Sequence, residues 1–194
     1  MAAGTRERMI ATALRLFQRN GYAATGWRGI VEAAGTPWGS AHHHFPGGKE
    51  QLGAEAVALG SSGVLAALDE CLAAEPGVAT AVHRWFAVAA DNLAASDYEC
   101  GCPVATVALE TSVTVPALGA ACASAFTAWT DRLTAALTDA GIGAAEAADL
   151  ACHTVAALEG ALLLARSWRD TRPVLVAGAN AAALIRTELL RPKR

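Results

Sequence analysis

Residues 25–52 read TGWRGIVEAAGTPWGSAHHHFPGGKEQL, and the organisation of the chain is decided there. Ile30, Val31, Ala33 and Ala34 give an apolar side to a first short helix. Gly35 supplies a residue that can take a positive φ at its end. Thr36-Pro37 then opens a second helix, with Thr36 as N-cap and Pro37 at the first helical position, where a missing N–H leaves no intrahelical partner wanting. The stretch reads as helix, glycine turn, helix, followed by the start of a longer third helix.

In a helix-turn-helix the second helix lies in the DNA major groove and the first crosses the backbone. The tail narrows the reading: Gly39, then His43-His44-Phe45-Pro46, then Lys49 and Leu52. With these residues the stretch resembles the tetracycline-repressor (TetR) family of transcriptional regulators, whose recognition helix ends in an aromatic-x-His-Phe run followed by Lys-Glu-x-Leu. The extra glycine in Phe45-Pro46-Gly47-Gly48-Lys49-Glu50, with Gly101-Cys102-Pro103-Val104-Ala105 much later, resembles the LmrA/YxaF branch. The resemblance implies that Arg28, Thr36, Trp38 and Ser40 lie near base edges or flanking phosphates, that His42, His44 and Lys49 lie on the phosphate backbone, and that Gly39 lets the helix approach closely. Three positions depart from the family pattern. Trp38 stands where a basic or small polar residue is usual, Ala41 where leucine is common, and His42 where tyrosine is usual, so the operator sequence and the affinity do not follow from the resemblance.

Charge supports the same division. The net charge is −3, which argues against a general nucleic-acid coating protein. Residues 1–50 nevertheless hold six Lys/Arg against three Asp/Glu, while the remainder holds nine against fifteen. Positive charge thus sits with the helix-turn-helix, where phosphate binding needs it. The chain is 54% hydrophobic and 17% charged, more apolar than a monomer needs, and an oligomer is the simplest account. Arg6, Glu7 and Arg8 precede any apolar run, so no secretory signal is read and a cytoplasmic location is expected. Residues 111–130 are uncharged, but Pro116 and several Ser and Thr argue against a membrane span. Five scattered cysteines do not make a disulfide framework.

Apolar periodicity predicts a first helix from about Arg6 to Asn20, stopped by Gly21, with Tyr22 and Phe45 as its core partners. A long helix is expected from Lys49 to about Ala73, interrupted by Gly60-Ser61-Ser62-Gly63, which reads either as a bend or as a small face for close packing. Further helices are expected from Val78 to Ala95, from Pro103 to about Ser112, from Pro116 to about Ala140, then, after the separator Gly141-Ile142-Gly143, to near Asp170, and from Pro173 to before Pro192. The fold class is all-α, with about nine helices in a three-helix amino-terminal head (1–50) and a ligand-binding and dimerisation body (51–194).

No nucleophile elbow, phosphate loop, His-Glu-x-x-His or di-iron Glu-x-x-His pattern occurs, so no catalytic residue is assigned. The three consecutive histidines 42–44 point about 100° apart on a helix and cannot converge on one ion. Cys100-x-Cys102 lacks a second ligand pair, and Asp149 and His153 read as a surface or seam pair. No metal or other cofactor is assigned. For a small apolar effector the candidates are Trp85, Phe86, Val104, Val107, Glu110, Phe126 and Trp129, on helices that enclose the effector in TetR-like proteins. The expected partners are double-stranded operator DNA, a small-molecule effector and a second copy of the chain, with no membrane. The dimer seam is expected from Leu150, Val155, Leu158 and Leu162 on one helix and Val176, Ala182, Ile185 and Leu189 on the next. The rival reading is a small-molecule-binding or metal- or redox-sensing helical protein with weak or lost DNA recognition, motivated by Trp38 and His42.

Overall fold

The computed structural model describes residues 4–191, and Pro192, named above as a limit of the last helix, lies outside them. The described residues form nine helices: α1 Thr5–Asn20, α2 Trp27–Ala33, α3 Trp38–His44, α4 Gly48–Ala74, α5 Val78–Ala95, α6 Ala105–Thr111, α7 Pro116–Asp139, α8 Ala144–Trp168 and α9 Arg172–Leu189. The fold is all-α. Among the described residues two compact units emerge, one of residues 4–62 with 100–125 and one of residues 63–99 with 126–191.

The first unit is built on α1. Met9, Ala13 and Phe17 recur at helical spacing and are fully buried, and Ile30, Phe45 and Leu52 complete the apolar centre. Each of the large side chains among these contributes about 1.5–3 kcal/mol of burial free energy. Tyr22 packs on Phe17 with ring centroids 5.3 Å apart. Gly21 ends α1 at φ +82°, its N–H donating to the Phe17 carbonyl at 2.9 Å. The Gly60-Ser61-Ser62-Gly63 stretch remains helical within α4. A Cβ on Gly60 would stand 2.6 Å from Pro103 Cβ and 3.0 Å from a Leu14 methyl, so close packing, one of the two expectations for this stretch, accounts for that glycine. The uncharged run 111–130 is not one helix, because α6 ends at Thr111 and α7 begins at Pro116. By length and composition alone, α4 and α8 are long and apolar enough to cross a membrane.

In the second unit α5 lies along α9, and α8 packs beside α9. Val82, Trp85, Phe86 and Leu93 form the inward face of α5. Gly178 of α9 admits Phe86, since a Cβ there would come within 2.6 Å of Phe86 Cβ. Here the expected dimer seam needs correction. Val155, Leu158, Ala182 and Ile185 are buried in the unit's own core, while Val176 and Leu189 are exposed together with Leu163, Leu164, Trp168, Leu175 and Leu184. Both helices are apolar on more than one stripe, and the expected set mixed the stripe that closes the core with the one facing outward.

Candidate nucleic-acid interface

The turn between α2 and α3 is fixed by backbone hydrogen bonds. Ala34 ends α2, Gly35 takes φ +59°, the Gly35 N–H donates to the Glu32 carbonyl and the Thr36 N–H to that of Val31, each at 3.1 Å. This pairing satisfies the last carbonyls of α2 and is the six-to-one, five-to-two pattern of a Schellman turn, which favours glycine at the left-handed residue. The expected cap is corrected by one residue. Pro37, extended at φ −62° and ψ 141°, is the N-cap and Trp38 the first helical residue. Thr36 is buried, its hydroxyl donating inward to the Ala34 carbonyl at 3.5 Å, and α3 carries no side-chain cap hydrogen bond.

The turn presents one face of α3 to solvent. Trp38, Gly39, His42 and His43 are exposed, Ser40 and His44 are half-buried, and Ala41 is buried against the head core. Open space surrounds Gly39, where an added Cβ would meet nothing within 4 Å. Arg28 is exposed on α2, and its guanidinium donates to Glu32 one turn later at 2.8 Å. Trp27 is a residue that sequence reasoning passed over. Its indole lies 5.5 Å from the His42 ring and edge-on to Phe45 at 6.5 Å, so it braces α2 against α3. The Trp27 Nε1–H is buried and, among the described residues, meets no acceptor. A tryptophan at the first position of α2 was the available signal, but only tertiary packing brings it to His42.

Lys49, expected on the phosphate backbone, is half-buried. At the start of α4 its ammonium donates to the Tyr22 carbonyl at 2.7 Å and sits 3.8 Å over the Tyr22 ring. Partial burial lowers its pKa, against the opposing charge of Glu110. Glu110 itself, from α6, is exposed, and its carboxylate accepts a hydrogen bond from the Ala23 N–H at 2.6 Å. It therefore holds the turn between α1 and α2.

Of the effector candidates, Val104 and Val107 are buried in the first unit with Glu110 at its surface. Trp85, Phe86, Phe126 and Trp129 belong to the second. Trp85 and Phe86 meet edge-on at 6.0 Å within the core, and fully buried Trp129 meets half-buried Phe126 edge-on at 5.2 Å. Cys102 accepts a hydrogen bond from the Ala105 N–H at 3.3 Å, at the opening of α6. Among the described residues no three His, Cys, Asp or Glu side chains group as metal ligands.

Residues 9–56 match the amino-terminal family of bacterial regulatory proteins of the tetR type, and residues 78–180 match the carboxy-terminal domain of LmrA/YxaF-like transcriptional regulators. The chain is 31% identical over 171 residues to the HTH-type transcriptional regulator LmrA of Bacillus subtilis, spanning 88% of this chain and 91% of that one. A TetR regulator from Chloroflexus aurantiacus superposes with a TM-score of 0.78 at 26% identity, over 95% of each chain. A cysteine-substituted form of the regulator CifR, solved with 26-bp double-strand operator DNA, superposes with a TM-score of 0.77 at 19% identity over 94% of this chain and 97% of that one. A glycine-fixed turn presenting α3, a matched amino-terminal domain and a matched LmrA/YxaF-like body leave one conclusion: this chain belongs to the TetR family of transcriptional regulators.

Proposed function

We propose that the chain is a cytoplasmic, homodimeric repressor that holds a palindromic operator through α3 and lets go when a small apolar effector binds its body. The observation that carries the DNA half is the α3 surface, with Trp38, Gly39, His42 and His43 exposed and Arg28 exposed on α2, in the region that holds the chain's excess of positive charge. Arg28, Trp38, Gly39, Ser40, His42 and His44 are the DNA-facing set. Thr36 and Lys49 support it from within.

The dimer half rests on the apolar face that α8 and α9 leave open. A cleft of about 650 Å³ between them is lined by Leu164, Trp168, Pro173 and Val176, and Leu163 and Leu175 are exposed on the same two helices. Exposed Leu163, Leu164, Trp168, Leu175 and Val176 on two adjacent helices are side chains that a partner would cover. For the effector, the accessible aromatic surface beside a buried wall is Phe126 on Trp129. An effector releases DNA only if it binds the DNA-incompetent state more tightly.

The test is a footprint and an anisotropy titration on the chain's own upstream DNA. An inverted repeat whose half-site centres lie one helical turn apart, about 34–36 Å or a multiple, is expected, with affinity falling steeply with salt. A footprint on one asymmetric half-site together with a monomeric mass in solution would sink the reading.

A further inference from the structure

The side chains of α3 limit what it can read. Trp38–His44 contains no Arg, Lys, Asn, Gln, Asp or Glu. The bidentate contacts that identify guanine through Arg or Lys, and adenine through Asn or Gln, are therefore closed to this helix. What it offers first is an indole. Trp38 is the first residue of α3, 47% exposed, and its neighbour Gly39 has no side chain to crowd it. Single apolar residues on a surface are ordinary, but this one stands at the amino-terminal end of the helix, whose residues meet base edges in a helix-turn-helix.

The indole is also held in place. Its ring lies 6.3 Å from His42 one turn later, His42 lies 5.5 Å from Trp27, and Trp27 stands edge-on to Phe45, which is fully buried. Four rings thus run from the core of the head to its surface. A side chain braced in this way loses little further freedom on binding, so its contact is spent on the partner rather than on ordering. The major groove presents a single apolar group, the C5 methyl of thymine.

We propose that Trp38 reads thymine methyl groups, so that each operator half-site carries a thymine where the first turn of α3 enters the groove. The proposal rests on the reading that α3 binds DNA. Guanine selection would then fall to Arg28 on α2, the exposed side chain on that helix with the guanidinium fork.

Deoxyuridine tests it, because replacing thymine by uracil removes the methyl and leaves base pairing intact. On the footprinted operator, each thymine is replaced in turn and affinity is read by competition anisotropy. One methyl is worth about fourfold in affinity, so substitution at one symmetric pair of positions should cost roughly 15-fold. Trp38→Ala should bind the thymine operator more weakly and be indifferent to uracil there, and Trp38→Phe should keep part of the discrimination. Unchanged circular dichroism and Tm for both variants are expected, since the ring is at the surface. Operator binding by the wild type with no position sensitive to uracil would overturn the thymine contact and leave DNA binding standing. Uracil sensitivity that persists undiminished in Trp38→Ala would assign the methyl to another side chain and likewise overturn it. Absence of binding to any upstream DNA would remove both readings together.

Discussion

Arg28 and Lys49 show how little a charge in the sequence says about its direction. Both were expected on DNA, yet Arg28 extends from α2 into solvent while Lys49 is drawn into the head by the Tyr22 carbonyl and ring. Their alanine variants should therefore fail in different ways. Arg28→Ala should leave unfolding unchanged, reduce operator affinity about tenfold or more, and relax discrimination at one base pair. Lys49→Ala removes a charged hydrogen bond and a cation–π contact from a half-buried site, and should cost about 1–2 kcal/mol of stability in urea. Its salt dependence of DNA binding should stay close to wild type, because no phosphate contact is lost. A Lys49→Ala protein of normal stability whose salt slope falls by about one would restore the phosphate role expected from sequence. Thr36 follows the same logic as Lys49: the residue type suited a cap, and the inward turn of its hydroxyl depends on where the Ala34 carbonyl lies.

Among the elements, helix limits were legible because proline and glycine punctuate the chain. Gly21, Gly35 and Pro116 stop or start helices where sequence placed them, and α5 runs from Val78 to Ala95 as expected. The tie between α6 and the turn after α1 was not legible. Ala23 and Glu110 are 87 residues apart, and nothing in the pattern around either points to the other. Glu110 was expected as the polar group of an effector pocket, and its carboxylate accepts from the Ala23 N–H and faces Gly21. Gly21 combines two constraints, a left-handed φ of +82° with extended ψ, and a neighbour so near that an added Cβ would overlap Glu110 Oε1. Gly21→Ala should destabilise the head by about 1–3 kcal/mol from backbone strain alone. Glu110→Ala alone loses the Ala23 hydrogen bond, so measured against that variant the effect of Gly21→Ala should shrink only by the part due to overlap. Its disappearance there, measured by chemical denaturation as a double-mutant cycle, would show that the backbone tolerates alanine and that crowding by Glu110 is the whole effect.

At the scale of the whole molecule, the second unit was legible as a helical core but not as a surface. Alanine and leucine recur around most of α8 and α9, so the sequence pattern cannot say which stripe meets α5 and which stays outside. Val155 and Ile185 were expected at a dimer seam and are core; Leu164 and Trp168 carried no expectation and are 45% and 65% exposed. If a second copy covers that face, the residues that matter are the exposed ones. Aromatic anchors at the centre of an interface commonly contribute 2 kcal/mol or more, so Trp168→Ala should weaken the dimer by about 30-fold or more while Tm extrapolated to high dilution is unchanged. Leu164→Arg brings two like charges toward an apolar seam across a twofold axis and should give a monomer by light scattering. Ile185→Ala acts on the core, and should lower stability by about 2–5 kcal/mol without a selective effect on self-association. The three variants separate the two stripes. A dimer that tolerates both Trp168→Ala and Leu164→Arg, but dissociates in Ile185→Ala at temperatures where the protomer stays folded, would move the seam back to the stripe expected from sequence. Loss of operator binding should then accompany dissociation in whichever variants produce it, because one α3 per protomer reaches only one half-site of an inverted repeat.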